Sequence, residues 1–189
     1  DAFGEDEGAY TGQISMPMVK YAGASFVIIG HSERRAFGEI NKMVNAKIKK
    51  ALKANLRIIL CIGERERDSH GYYLDFIKHQ LEEGLANSPK TSLKNLLIAY
   101  EPIWAIGQDA KSVDTPAEFL HNALFIKKIL SRIVGPKEAL NTPILYGGSV
   151  TKKNAEDFLT TGQADGLLVG RVALDPDHFG SIIKLAANL

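Results

Sequence analysis

The chain has 189 residues, with 23 basic and 22 acidic side chains and a formal net charge of +1. Hydrophobic residues make up 45% and charged residues 24%, which is ordinary for a globular protein and excludes a disordered chain. The charge gives no electrostatic basis for binding nucleic acid or a membrane, no apolar run is long enough to span a bilayer, and the single cysteine cannot form an internal disulfide. We therefore expect a cytoplasmic protein with a single domain, residues 1–189, and with no nucleic-acid or membrane partner.

Short apolar runs recur along the chain, and each is followed by glycine or a polar residue. In chain order they cover 26–29, 58–62, 96–100, 144–146 and 166–169. Apolar residues that are nearly continuous, rather than alternating with polar ones, are typical of strands buried on both faces of a parallel sheet. The runs therefore predict five parallel strands.

Helical patterns separate these runs. Apolar residues at three- and four-residue spacing predict helices over 16–21, 42–54, 72–85, 151–159 and 177–187. A further helix is predicted from Thr115, which is followed by a proline at the first helical position and by Glu118 as a capping-box residue, and it is expected to end before Gly135. The lysines of the 42–54 helix, Lys47 among them, are interpreted as a solvated face. The alternation of strand and helix predicts an α/β fold of right-handed β-α-β units.

Several polar residues and glycines directly follow the predicted strands, where active sites form in parallel α/β proteins. They are His31, Glu33, Glu101, Ser149, Gly170 and Arg171. A carboxylate and an imidazole on one rim suit a base and an electrophile, and glycine-rich turns expose backbone N–H groups to phosphate. These positions favour proton transfer on a small phosphorylated substrate. The alternative is a rim in which glycine and polar residues serve only the turns.

Five longer strings strengthen the first interpretation. They occupy 8–12 (GAYTG), 27–35 (VIIGHSERR), 61–64 (CIGE), 99–107 (AYEPIWAIG) and 145–150 (LYGGSV). Together, and in this order, they resemble the triosephosphate isomerase family over the whole chain. The resemblance implies an isomerase of glycolysis and gluconeogenesis that interconverts dihydroxyacetone phosphate and glyceraldehyde 3-phosphate through an enediol, without metal or cofactor. The histidines show no metal-ligand spacing, in agreement with that expectation.

The resemblance assigns three catalytic positions. Glu101 resembles the catalytic base, His31 the neutral imidazole that polarises the substrate carbonyl, and Glu33 the acidic residue beside them. Each position also has a structural interpretation. Glu101 would cap the following segment, His31 would be a hydrogen-bonded rim histidine, and Glu33 would form an ion pair with a neighbouring arginine.

The resemblance also assigns phosphate-binding positions. Gly107, Ser149 and Gly170 match them, although these glycines would also serve turn geometry alone. Arg171 stands where the family has a second glycine. Its guanidinium either binds phosphate or has a structural or subunit-contact role. Residues 108–114 are longer than the family's lid tip and lack its second glycine.

Aligned by the strings, the predicted strands resemble strands four to eight of the family's eight-stranded barrel. The resemblance therefore implies a partial TIM (β/α) barrel of about five parallel strands that lacks the first three, in a single incomplete domain. The asparagine and the catalytic-site lysine of the family belong to the first of those strands. Removing such a cation typically costs the transition state several kcal/mol, so we expect the activity of this chain alone to be severely impaired.

Two further expectations follow from an open sheet. Unpaired edges and an exposed apolar interior favour self-association into a homodimer or higher oligomer. The alternative to an enzyme is a catalytically inactive descendant that persists as a phosphate-binding protein or as an oligomeric scaffold.

Overall fold

The computed structural model describes residues 1–106 and 114–189, which form one parallel sheet with flanking helices. Its strands are β1 (Phe26–Ile29), β2 (Arg57–Ile62), β3 (Leu96–Tyr100), β4 (Ile144–Tyr146) and β5 (Gly166–Leu167). The sheet order is β1-β2-β3-β4-β5, and every neighbouring pair is parallel. The predicted α/β class and parallel strands are confirmed. The last strand is two residues shorter than the predicted run over 166–169.

Helices connect the strands in the described part of the chain. The α-helices are α1 (Met16–Tyr21), α2 (Ser32–Ala36), α3 (Asn41–Lys53), α4 (Tyr72–Gly84), α5 (Pro116–Ile133), α6 (Pro136–Asn141), α7 (Ala155–Thr160) and α8 (Pro176–Ala186). Short 3-10 helices cover Lys90–Asn95, Ile103–Ala105 and Arg171–Leu174. The helices that the sequence predicts are present, and α2 and α6 are additional. None of the helices in 1–106 and 114–189 is both long and apolar enough to cross a lipid bilayer.

Residues at the start of α5 form the predicted capping box. The Thr115 hydroxyl accepts the Glu118 backbone N–H at 3.2 Å, and the Glu118 carboxylate accepts the Thr115 backbone N–H at 3.2 Å. Two donors that a helix start leaves unpaired are thereby satisfied. The proline after Gly135 does more than end α5, because it occupies the first turn of α6.

The two faces of the sheet are covered unequally. The helices pack on one face over a continuous core that runs along the sequence from Ala2 to Ile182. On the other face the described buried apolar residues are Cys61, Ala99 and Leu145, and the side chains around them are only partly covered. The helices therefore protect one side of the sheet, and the second side stays partly open.

Lys47 contradicts the interpretation of a solvated lysine face. This lysine is only 4% exposed. Its ammonium group bonds both carboxylate oxygens of Asp1, at 3.0 and 2.8 Å, and also pairs with the buried Glu39. The neighbouring Lys50 lies 3.1 Å from Asp6. The helical spacing alone does not reveal these partners, because Asp1 is 46 residues away from Lys47 in the sequence.

Gly63 lies where β2 and β3 end side by side. The Glu101 backbone N–H donates to the Ile62 carbonyl at 2.8 Å, which brings the Glu101 backbone against Gly63. A β-carbon at position 63 would overlap the Glu101 carbonyl. The Gly63 N–H donates to the amide oxygen of the buried Gln80 at 2.8 Å. Because Gln80 belongs to α4, this hydrogen bond also ties Gly63 to that helix. Glycine is therefore required here by close approach.

We predict that Gly63→Ala destabilises the fold, because the new methyl group pushes the Glu101 backbone away from β2. Overpacking of this kind typically costs about 1–3 kcal/mol in the free energy of unfolding, measured by urea denaturation. Gly180→Ala is the matched control, because this helical position has open space around it, and it should gain up to about 1 kcal/mol. Equal stability of Gly63→Ala and the parent chain would contradict the close-approach argument.

Candidate active site

His31 and Glu101 meet at the carboxyl ends of β1 and β3. His31 is the N-cap of α2, and its Nδ1 accepts the Glu33 backbone N–H at 3.3 Å. Its Nε2 lies 3.0 Å from Oε1 of Glu101. Because Nδ1 accepts a hydrogen bond, the neutral ring carries its proton on Nε2 and donates it to the Glu101 carboxylate. The predicted base and imidazole are therefore in direct contact.

The Glu101 carboxylate is buried and hydrogen-bonded at both oxygens. The residue is only 2% exposed, and its Oε2 accepts the Ser32 backbone N–H at 2.9 Å. A charged group so deeply buried needs donors in place of water, and Ser32 and His31 supply them. Gly147, after β4, leaves room for the side chain, because a β-carbon there would lie 3.0 Å from the Glu101 Cγ.

Opposing influences act on the protonation of His31. The hydrogen bond to Glu101 raises the pKa of His31 above its ordinary value, and partial burial works in the other direction. The carboxylate of Glu33, 3.8 Å from Nδ1 and largely exposed, also raises the pKa of His31 but contributes less. The N–H donated to Nδ1 at the start of α2 favours the neutral ring. The contact with Glu101 therefore sets the direction of the shift.

A cavity of about 480 Å³ opens beside this pair. Its walls include every described residue that the sequence assigned to the site: His31, Glu33, Glu101, Ser149, Gly170 and Arg171. The assigned Gly107 lies outside the described residues, as do 108–113 of the altered lid tip. Ile28 and Leu168, from the less covered face of the sheet, add apolar walls. The cavity therefore combines a carboxylate, an imidazole and glycine-rich turns.

The turns after β4 and β5 present backbone donors. The Ser149 hydroxyl donates to the Ala105 carbonyl at 2.9 Å, so this side chain fixes the segment that follows Glu101. The backbone N–H groups of Ser149 and Gly170 have no acceptor in the described part of the chain. Both residues are exposed and line the cavity. The arrangement can therefore accept an anion such as phosphate.

A second buried carboxylate, Glu64, was missed by the sequence analysis. Glu64 is 1% exposed and accepts hydrogen bonds from the Tyr100 hydroxyl at 2.8 Å and from the Trp104 indole at 2.7 Å. Arg67 donates to it at 3.2 Å and pairs with Glu118 of α5 at 3.2 Å. The only signal in the sequence was a charged residue directly after a buried strand, within the string at 61–64. The network anchors Trp104, three residues before Gly107.

Asp114 directly follows residues 107–113 in the sequence, and its carboxylate is also buried. It is 3% exposed, and its carboxylate accepts the Thr115 backbone N–H at 3.0 Å, next to the capping box. Burial raises the pKa of Asp114 to about 7, although the positive charge of Arg67 acts in the opposite direction. Buried polar groups therefore flank residues 107–113 on both sides.

Comparison with known proteins identifies the family. The family model described as "Triosephosphate isomerase" matches residues 1–186. The chain is 42% identical to the triosephosphate isomerase of Trichlorobacter lovleyi over 187 residues, covering 97% of this chain and 73% of that protein. It is 44% identical to the enzyme of Dehalococcoides mccartyi over 189 residues, covering 99% and 73%. The chain belongs to the triosephosphate isomerase family.

Solved structures agree with this assignment. The crystal structure of triosephosphate isomerase from Bartonella henselae aligns with a TM-score of 0.87 at 37% sequence identity, covering 99% of this chain and 75% of that one. The family resemblance expected from the strings is therefore confirmed. Within 1–106 and 114–189, no group of three His, Cys, Asp or Glu side chains is arranged to hold a metal ion. The metal-free and cofactor-free reaction of the family stays a prediction for this chain.

We predict that Glu101→Gln lowers the pKa of His31, because the substitution removes the negative charge and leaves only a neutral amide oxygen, a weaker acceptor for the ring N–H. The measurement is an NMR titration of the His31 ring between about pH 5 and 9, around its ordinary pKa of roughly 6.5. Glu33→Gln is the matched control, because the Glu33 carboxylate lies farther away and is solvated, so it should lower the pKa less. Equal shifts in the two variants would contradict the assigned contact.

Proposed function

We propose that the chain interconverts dihydroxyacetone phosphate and glyceraldehyde 3-phosphate by proton transfer through an enediol. The observation that carries this proposal is the buried Glu101 carboxylate, hydrogen-bonded to His31 on the wall of a 480 Å³ cavity. A carboxylate and a ring N–H at one site are the groups that proton abstraction next to a carbonyl needs. Membership of the triosephosphate isomerase family supports the same reaction.

In the proposed mechanism Glu101 removes a proton from the carbon next to the substrate carbonyl. Without substrate, the Nε2–H of His31 donates to Glu101. A bound carbonyl oxygen takes over this hydrogen bond, which polarises the carbonyl and frees one carboxylate oxygen to act as the base. The Ser32 N–H continues to orient the other oxygen. Glu33, at the exposed side of the cavity, is proposed as the acidic residue beside the reacting carbons.

The phosphate is proposed to lie against the turns after β4 and β5. The backbone N–H groups of Ser149 and Gly170, for which residues 1–106 and 114–189 supply no acceptor, support this orientation. It places the carbon chain of the substrate toward Glu101, because β3 and β4 are neighbours in the sheet. A phosphorylated triose is therefore the proposed partner. A reducing, cytoplasmic location fits the single cysteine, Cys61, which is a free thiol.

The five strands are proposed to correspond to strands four to eight of the family barrel, as a single incomplete domain over 1–189. The sheet order agrees with five consecutive strands of such a barrel. The described residues that line the cavity include no lysine. An electrostatic contribution to transition-state stabilisation is then weaker, so turnover by this chain alone is proposed to be severely impaired.

The second candidate is an inactive phosphate-binding or scaffold protein. The observation that favours it is the same lack of a lysine among the described cavity residues, together with the two carboxylates of Glu33 and Glu101. Activity distinguishes the two candidates.

We predict measurable isomerase activity that Glu101→Gln lowers by at least about a hundredfold, because general base catalysis typically contributes 10²–10⁴-fold. The measurement is a coupled assay with glyceraldehyde 3-phosphate. Glu156→Gln, the same change at an exposed position of α7, should leave the rate unchanged. Turnover of the parent chain no higher than that of Glu101→Gln would instead support the inactive candidate.

Self-association is proposed from the open sheet. β1 and β5 stand at the two ends of the strand order, and Ile28, Ile59 and Leu168 are only partly covered. Unpaired strand edges and exposed apolar surface favour contact with a second copy. We predict a homodimer or higher oligomer in light scattering at micromolar concentration. A strictly monomeric species there would contradict the proposal.

A further inference from the structure

The described walls of the cavity carry more carboxylates than permanently charged cations, which is unfavourable for an anionic substrate. Its described ionisable wall residues are His31, Glu33, Glu101 and Arg171. A phosphate group that enters therefore meets two carboxylates and loses much of its hydration. Arg171 is the sole lysine or arginine among these described wall residues. Without it, the described wall would offer a phosphate no permanent positive charge.

We infer that Arg171 is the residue whose guanidinium binds the substrate phosphate, which rests on the proposed function. Arginine suits this task because its planar group donates two parallel hydrogen bonds to phosphate oxygens. Arginine also stays charged at every pH at which the enzyme would work. A glycine at this position would offer the phosphate only a backbone N–H.

No ion pair commits Arg171 to a structural role within 1–106 and 114–189. The first acidic residue that follows Arg171 in the sequence, Asp175, has other partners. Asp175 caps α8 by accepting the N–H groups of Asp177 and His178, both at 3.0 Å. It also lies 3.4 Å from the Nδ1 of His178. As far as the described residues show, the exposed Arg171 side chain is therefore available to meet a ligand.

The sheet places Arg171 at a suitable distance from the reacting groups. It follows β5, which pairs with β4, and β4 pairs with β3, which is directly followed by Glu101. Arg171 and Glu101 are thus two strands apart, which corresponds to about 10 Å between the strands. A three-carbon phosphate together with a long arginine side chain spans such a gap. Ser149 and Gly170, which carry the backbone donors, line the same cavity as Arg171.

The test measures the dissociation constant of inorganic phosphate by isothermal titration calorimetry, at constant ionic strength, for the 189-residue chain and its variants. Arg171→Met should weaken phosphate binding about ten- to a hundredfold, the usual range for a lost charge-assisted hydrogen bond. Arg171→Lys keeps the positive charge but cannot donate two parallel hydrogen bonds, so its dissociation constant should lie between those of the parent chain and Arg171→Met. Arg132→Met is the matched control, because Arg132 is exposed in the last turn of α5 and does not line the cavity. Circular dichroism checks that each variant is folded.

The outcomes separate this inference from the proposed function. Weaker binding in Arg171→Met with unchanged binding in Arg132→Met supports the assignment. Equal binding by Arg171→Met and the parent chain, or an equal loss of binding in Arg132→Met, overturns the assignment. If the parent chain is nevertheless active, the proposed function stands. A parent chain that binds no phosphate at millimolar concentration and shows no turnover overturns both.

Discussion

The Glu101 carboxylate is the group on which the rest of the site depends, because it is charged and almost fully removed from solvent. A buried carboxylate is tolerated only where hydrogen bonds replace the lost water. Here the donors are the Ser32 backbone N–H at 2.9 Å and the His31 ring at 3.0 Å. Both donors follow β1, which is not a neighbour of β3 in the sheet. The carboxylate therefore ties together two strands that share no backbone ladder.

Alternation along β3 and the residue that follows it places Tyr100 and Glu101 on opposite faces of the sheet. Successive side chains of a strand point to opposite faces, so Tyr100 faces the helices and Glu101 faces the cavity. On the helix side, the Tyr100 hydroxyl bonds Glu64 at 2.8 Å and accepts the Asn122 amide at 3.0 Å. Its ring lies 6.2 Å from that of Phe119 in α5. A buried network that does not line the cavity thus fixes the strand end from which the Glu101 carboxylate projects.

The sequence predicts best what depends on neighbouring residues. The capping box of Thr115 and Glu118 is confirmed because its partners are three residues apart. The rule that sites form at strand ends also predicts correctly that the described candidate residues line one cavity. Prediction from the sequence fails for Lys47, because its partner Asp1 is far away in the sequence. Helix α2 escapes prediction because its N-cap is the His31 imidazole, which is not among the usual capping side chains.

The unequal covering of the sheet links the fold to the electrostatics of the site. Ile58 and Leu60 are fully buried beneath the helices, whereas Ile28 and Leu168 are partly exposed and line the cavity. The polar residues at the strand ends thus stand at the rim of an apolar floor. The Glu101 carboxylate beside this floor is itself buried, and in such surroundings of low polarity its hydrogen bond with the His31 ring is stronger than it would be in water. The apolar surface on which the proposed self-association rests belongs to this same face of the sheet, so the cavity and the proposed contact share one set of side chains.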